Sequence, residues 1–153
     1  MFAILLFLLV LTTVFSYDKK WEEYMGKTQW YSFAEALEHA KRRELPVLGF
    51  YIGLECNLCH NYLKMFSYHP KFREVSKKFI LAALDETDPY YNMDPIDVEH
   101  YTPKFVFFDS NGKLLDFTNE NNPDQKYFYS NIESILNAME EVDDYLYDMK
   151  HDL

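Results

Sequence analysis

Between residues 47 and 52 the chain reads Val47-Leu48-Gly49-Phe50-Tyr51-Ile52, apolar at odd and even positions alike, and its only two cysteines, Cys56 and Cys59, follow at once. A short run that is apolar on both parities suits a strand covered on both faces. From Cys56 onward the spacing turns helical, with Cys59, Leu63 and Phe66 on one face until His69-Pro70 stops it. The cysteine pair therefore falls at a strand-to-helix junction, nearly one helical turn apart.

The flanking segments fit the same pattern. Ser32-Phe33-Ala34-Glu35 has the form of a capping box, so a helix is expected from about 33 to 44, where Pro46 blocks continuation. After the cysteine helix, Phe72, Val75 and Phe79 mark a short amphipathic helix, and the apolar run from Phe79 to Leu84 a second buried strand. An acidic, proline-broken loop from Asp85 to Glu99 leads through Tyr101-Thr102-Pro103 to a strand from Lys104 to Asp109. Asn111-Gly112 reads as a hairpin turn, returning Leu114 to Thr118 as an antiparallel partner. A second capping box, Ser130-Asn131-Ile132-Glu133, opens a terminal helix whose apolar face carries Ile132, Ile135, Leu136, Met139, Val142 and Leu146.

Composition narrows the function classes. With 25 acidic and 15 basic side chains the formal net charge is −10, and no cationic cluster exceeds Lys41-Arg42-Arg43, which excludes nucleic-acid binding driven by phosphate contacts. Four glycines, at 26, 49, 53 and 112, cannot form a phosphate-cradling loop. With 13 Phe, 13 Tyr and 2 Trp, the 153 residues carry ample apolar surface for one domain.

The ends read as targeting segments. Phe2 to Leu11 is uninterrupted apolar sequence, too short for a stable membrane span and suited to a secretory signal peptide over residues 1–16, leaving a domain over 17–149. The terminal Lys150-His151-Asp152-Leu153 is close to the tetrapeptides that an endoplasmic-reticulum retrieval receptor reads, so the expected address is the lumen of that compartment, with secretion as the alternative.

The order helix, strand, cysteine helix, strand, Thr-Pro, hairpin, helix, together with Trp30, Leu45-Pro46-Val47, Cys56-Asn57-Leu58-Cys59, Tyr101-Thr102-Pro103-Lys104 and Lys126-Tyr127-Phe128-Tyr129, resembles the small single-domain thioredoxin-like proteins of the endoplasmic reticulum. These are the thioredoxin-domain-containing protein twelve group, more distantly related to the anterior gradient proteins. The resemblance implies an α/β thioredoxin-like fold, a central mixed sheet flanked by helices with the CxxC at a helix N-terminus, and thiol-disulfide chemistry. It also implies that Pro103 is a cis proline opposite the cysteines, with Thr102 pairing an extended substrate.

At a helix start, unpaired backbone amides and the positive end of the helix dipole stabilise a thiolate, which makes Cys56 the nucleophile and Cys59 the resolving thiol of a Cys56-Cys59 dithiol/disulfide. Four neighbours are expected to tune it. Glu55 opposes thiolate formation by like charge. Asn57 and Leu58 replace the intervening pairs of well-known redox proteins, and His60 is either exposed or a cation beside the thiolates. Phe50 stands where classical members bury a proton-relaying acid.

Such exchange needs no bound cofactor, and its partners would be client polypeptides with thiols or disulfides, and glutathione or another lumenal oxidoreductase. Cys56 to His60 also spells the haem-attachment pattern CxxCH, and His69 with the cysteines makes an incomplete zinc set; both are disfavoured by the strands around the motif and by the missing ligand. The rival reading is a client-binding module that holds chains on aromatic surface such as Tyr127 to Tyr129, with little redox turnover.

Overall fold

The computed structural model describes residues 19–93 and 100–152. The signal-like segment 1–16, residues 94–99 of the acidic loop and the final Leu153 lie outside them. Helix α1 (Phe33–Arg43) begins at Ser32, whose hydroxyl accepts from the Glu35 N–H while the Glu35 carboxylate accepts from the Ser32 N–H, so the expected capping box is closed. It ends at Glu44 in the left-handed region, φ 54°.

Strand β1 (Val47–Tyr51) follows, then α2 (Asn57–Tyr68), the short α3 (Pro70–Val75) with one 3-10 turn, β2 (Ile80–Leu84), β3 (Lys104–Phe108) and α4 (Ile132–His151). Phe79, expected both to close the helical face and to open the second strand, has extended backbone just ahead of β2.

The sheet has the order β2-β1-β3, with β1 and β2 parallel and β1 and β3 antiparallel. All fifteen residues of β1, β2 and β3 are buried, as the apolar runs on both parities require. Alternation then divides the core. Leu48, Phe50, Ile52, Leu81, Phe105 and Phe107 face α2, α3 and α4, meeting Leu63, Phe66, Phe72, Ile135 and Met139. Val47, Tyr51, Ile80, Ala82, Val106 and Phe108 face α1, meeting Phe33, Ala36 and Ala40.

Two expectations are corrected. The fourth strand does not form: residues 114–118 touch β3 through a single antiparallel bridge, Phe108 with Leu114. The turn is not a two-residue one, because only Gly112 takes a positive φ (82°) and its N–H donates to the Asp109 carbonyl. Beyond Leu115, whose N–H reaches the Phe107 carbonyl, the outer edge of β3 is already occupied, since the Phe105 N–H donates to the Tyr127 carbonyl. The cap of α4 is Asn131 rather than Ser130, with its side-chain oxygen accepting from the Ser134 N–H at 2.9 Å. That shift by one residue puts Glu133 3.5 Å from His69 instead of back on the cap.

Candidate functional site: the Cys56-Cys59 disulfide

Residues 52–56 turn the chain from the end of β1 into α2. The Ile52 N–H still donates to the Leu84 carbonyl, extending the sheet by one bond, and the Cys56 N–H donates to the Gly53 carbonyl. Cys56 is the N-cap of α2, in extended backbone, and its sulfur accepts from the Cys59 N–H at 3.1 Å. The cysteines form a disulfide of 2.06 Å with Cα atoms 5.2 Å apart. Cys59 is fully buried on the face shared with Tyr62, Leu63 and Phe66, whereas Cys56 is partly exposed and Asn57 and Leu58 are exposed. The solvent-facing sulfur is therefore the one at the helix start, where amide donors favour negative charge.

The Thr102-Pro103 bond is cis, Pro103 is buried, and β3 begins at the next residue, with Lys104 opposite Tyr51. Gly53 holds this turn against the cysteines: a Cβ at Gly53 would lie 2.6 Å from Thr102 Oγ1 and 3.3 Å from Cys56 Cβ. The result is a cleft of about 610 Å³ lined by Cys56, Asn57 and Leu58 from the helix start, Gly53, Leu54 and Glu55 ahead of it, and Thr102 and Glu86 from neighbouring strand ends.

The structure thus brings together Cys56, Cys59, Glu55, Asn57, Leu58 and Thr102. His60 lies elsewhere, half-buried with its ring stacked on Tyr24 at 4.4 Å, and its Nε2 is buried without a hydrogen-bond partner among the described residues. Lys64 Nζ lies 4.6 Å from the centre of the same Tyr24 ring. His69 caps α3, its Nδ1 accepting from the Phe72 N–H.

Phe50 is fully buried at the position of the missing acid. A buried carboxylate comes from a different strand end: Asp85, 1% exposed, accepts from Trp21 Nε1 at 2.7 Å and from the Thr87 N–H and hydroxyl. Burial opposes its ionisation, but the bonds from Thr87 and Trp21 together hold its carboxyl below the usual range.

Sequence reasoning passed over Gly53, Glu86, and the pairs Trp21-Asp85 and Tyr24-His60. Gly53 had a signal, being one of only four glycines and three residues ahead of Cys56; the others are joined by tertiary contacts alone. The aromatic surface expected at Tyr127 to Tyr129 is corrected: Tyr127 and Tyr129 are 4% and 3% exposed and belong to the two halves of the core, leaving only Phe128 half-buried between them.

A mixed sheet between helices, with a CxxC disulfide at the start of the helix after its central strand and a cis-Pro turn beside it, defines the thioredoxin fold class. A family model described as thioredoxin-like matches residues 29–110, more than half of the chain, and the chain belongs to that family. Among solved structures it is similar to a disulphide isomerase from Xylella fastidiosa Temecula1, at 19% identity over 71% of this chain and 86% of that one, TM-score 0.51. It is also similar to a thioredoxin from Thermus thermophilus, at 22% identity over 52% of this chain, TM-score 0.44, a match spanning 62% of that protein's length. A DsbH oxidoreductase matches at 22% identity over 73% of this chain and 84% of that one, TM-score 0.43. At these identities the likeness is one of fold.

Proposed function

We propose that the protein is a thiol-disulfide oxidoreductase acting on client polypeptides. The observation that carries this reading is the Cys56-Cys59 disulfide at the N-cap of α2, with its outer sulfur opening into the cleft beside Thr102. In the reducing direction the Cys56 thiolate attacks a client disulfide, forming a Cys56-client bond as the client's own S–S bond breaks and one client thiolate leaves. The Cys59 thiolate then attacks Cys56 Sγ, closing the intramolecular disulfide and releasing the second client thiolate. Two electrons pass from protein to client, and the reverse sequence oxidises a client dithiol. Thr102, on the same cleft, presents its backbone to the client. Proton transfer to and from Cys59 runs through water or a residue other than the one at position 50, where Phe50 has no ionisable group.

The setting we propose is the endoplasmic-reticulum lumen, within the thioredoxin-domain-containing protein twelve group. Support comes from the apolar segment 1–16 and the Lys150-His151-Asp152-Leu153 terminus, to be read by the retrieval receptor. Helix α4 runs through His151, so the first two residues of that tetrapeptide are helical here. Glutathione or another lumenal oxidoreductase would recharge the pair, and secretion is the outcome if the tail goes unread.

The test is the reduction potential of the pair in glutathione buffers, with thiol alkylation reporting the oxidised fraction and Cys59→Ala checked for trapped mixed disulfides. A value near roughly −180 mV with trapped clients marks an oxidase or isomerase, and one near roughly −270 mV a reductase. A pair that cycles in no buffer overturns the enzyme reading.

A further inference from the structure

A cleft of about 840 Å³ lies away from the cysteines, along the outer edge of β2. It is bounded by the end of α1, the segment 26–31, the end of α2, and α3 with its following turn. Its charged lining residues are Lys27, Arg43, Arg73 and Lys77, with no carboxylate among them, in a chain whose net charge is −10. Lys77 is paired with Glu74, while Lys27, Arg43 and Arg73 have no ion-pair partner among the described residues. Between these cations the exposed aromatic surface is that of Tyr68, 80% exposed, and the half-buried Tyr31, over a floor of buried Phe66, Phe72, Phe79 and Leu81.

The backbone at the floor is a strand edge left partly uncovered. The Ile80 N–H donates inward to Pro46, so the even residues of β2 face β1 and the odd ones face out. Tyr31 covers the outer edge at one point, its N–H donating to the Leu81 carbonyl and its carbonyl accepting from the Ala83 N–H. Just ahead of it the chain turns away: Gly26 takes φ 59° and the Thr28 N–H folds back to the Met25 carbonyl. By this alternation the Leu81 N–H and the Phe79 carbonyl face the cleft, and no backbone partner for either falls outside the β1–β2 ladder among the described residues. An unpaired edge of this kind is a template for an added strand.

We infer that this cleft binds an extended acidic peptide segment of a partner protein, added along β2 at Phe79–Leu81. Main-chain bonds to the Leu81 N–H and Phe79 carbonyl would set its register. One set of alternate side chains would meet the aromatic surface, and carboxylates on the other would meet Arg43, Arg73 and Lys27. The cleft shares no lining residue with the Cys56 cleft, so the inference stands apart from the redox reading.

The test uses the full chain in its oxidised form and three labelled nine-residue peptides, followed by fluorescence anisotropy. One alternates Glu and Val, one alternates Lys and Val, and one alternates Glu and Pro, which keeps the charge but removes every second backbone donor and breaks continuous strand pairing. The expected result is saturable binding of the Glu/Val peptide, at least about tenfold tighter than either control at low salt, and weakening as salt is raised. Arg43→Glu with Arg73→Glu, exposed positions whose folding is checked by circular dichroism, should weaken it at least about tenfold. Equal binding of the Lys/Val or Glu/Pro peptide, binding that survives both reversals, or no binding of the Glu/Val peptide would each overturn the inference. So would full competition by equimolar tripolyphosphate, which would make the cleft a site for small anions.

Discussion

Gly53 is pressed against Thr102: a methyl group on its α-carbon would come within 2.6 Å of the threonine hydroxyl oxygen and 3.3 Å of Cys56 Cβ. That contact sets how closely the cis-Pro turn approaches the disulfide, and its removal is the most direct probe of the cleft. Gly53→Ala is expected to cost about 1–3 kcal/mol in chemical denaturation, the usual range for overpacking. It should also slow exchange with a peptide disulfide by about tenfold, as displacement of positioning groups does. Thr102→Ala in the same chain removes the clashing hydroxyl, so the double variant should recover most of the stability and little of the rate. Additive losses of stability would show that the two residues do not touch.

Asp85 ties the N-terminal turn to the end of β2 through Trp21, and its depressed pKa sets a pH window. A carboxyl held below its ordinary value near 3.8 adds stability that is complete well above that pH and is lost as pH falls through the folded-state value. Asp85→Asn should therefore destabilise the protein by about 1–3 kcal/mol at pH 7, from a broken buried network. The gap from the unsubstituted chain should narrow at pH 3. Urea denaturation at the two pH values reads this directly, and a gap of equal size at both would remove the carboxylate's charge from the explanation.

Two buried tyrosines make opposite predictions for the same substitution. The Tyr62 hydroxyl donates to the Tyr129 carbonyl at 2.5 Å, so Tyr62→Phe leaves a buried acceptor short of a partner and should cost about 1–2 kcal/mol. The Tyr129 hydroxyl is buried with no hydrogen-bond partner among the described residues, so Tyr129→Phe should be neutral or stabilising by up to about 1 kcal/mol. Thermal denaturation of the pair separates the two cases.

Tyr129 also governs the alkaline limb. Burial, followed by the charges of Glu141 and Tyr127, pushes its phenol up to about 12. A phenol raised above its ordinary value of 10 contributes stability that is whole below pH 10 and lost as pH climbs toward 12. The loss has a limiting slope of about 1.4 kcal/mol per pH unit for one group. Burial raises Tyr62 as well, so Tyr129→Phe should flatten this decline in part. An unchanged slope between pH 10 and 12 would show that Tyr129 ionises as freely folded as unfolded.

Local pattern was readable wherever one segment carried the whole signal. The capping box at Ser32, the buried strands, the break at His69-Pro70 and the cysteines at a helix start follow from spacing over a few residues, and each stands where expected. The fourth strand failed because a hairpin signal says nothing of competition for the edge it pairs with, and the Tyr127 carbonyl already holds part of β3. The α4 cap moved by one because Ser130 and Asn131 are both good capping residues, and only the final backbone angles choose between them.

What the chain determined by itself is the fold class and the position of the cysteine pair, since periodicity and helix-end chemistry act over a turn or two. What the tertiary structure decided is which groups meet across tens of residues. It set Thr102 against Gly53, placed Asp85 under Trp21, and slid Tyr24 over His60. It sent Tyr127 and Tyr129 inward rather than onto a client surface. It also gathered Lys27, Arg43, Arg73 and Lys77 around one strand edge. Such meetings depend on how layers stack and which strand edges stay open, and no local periodicity encodes them.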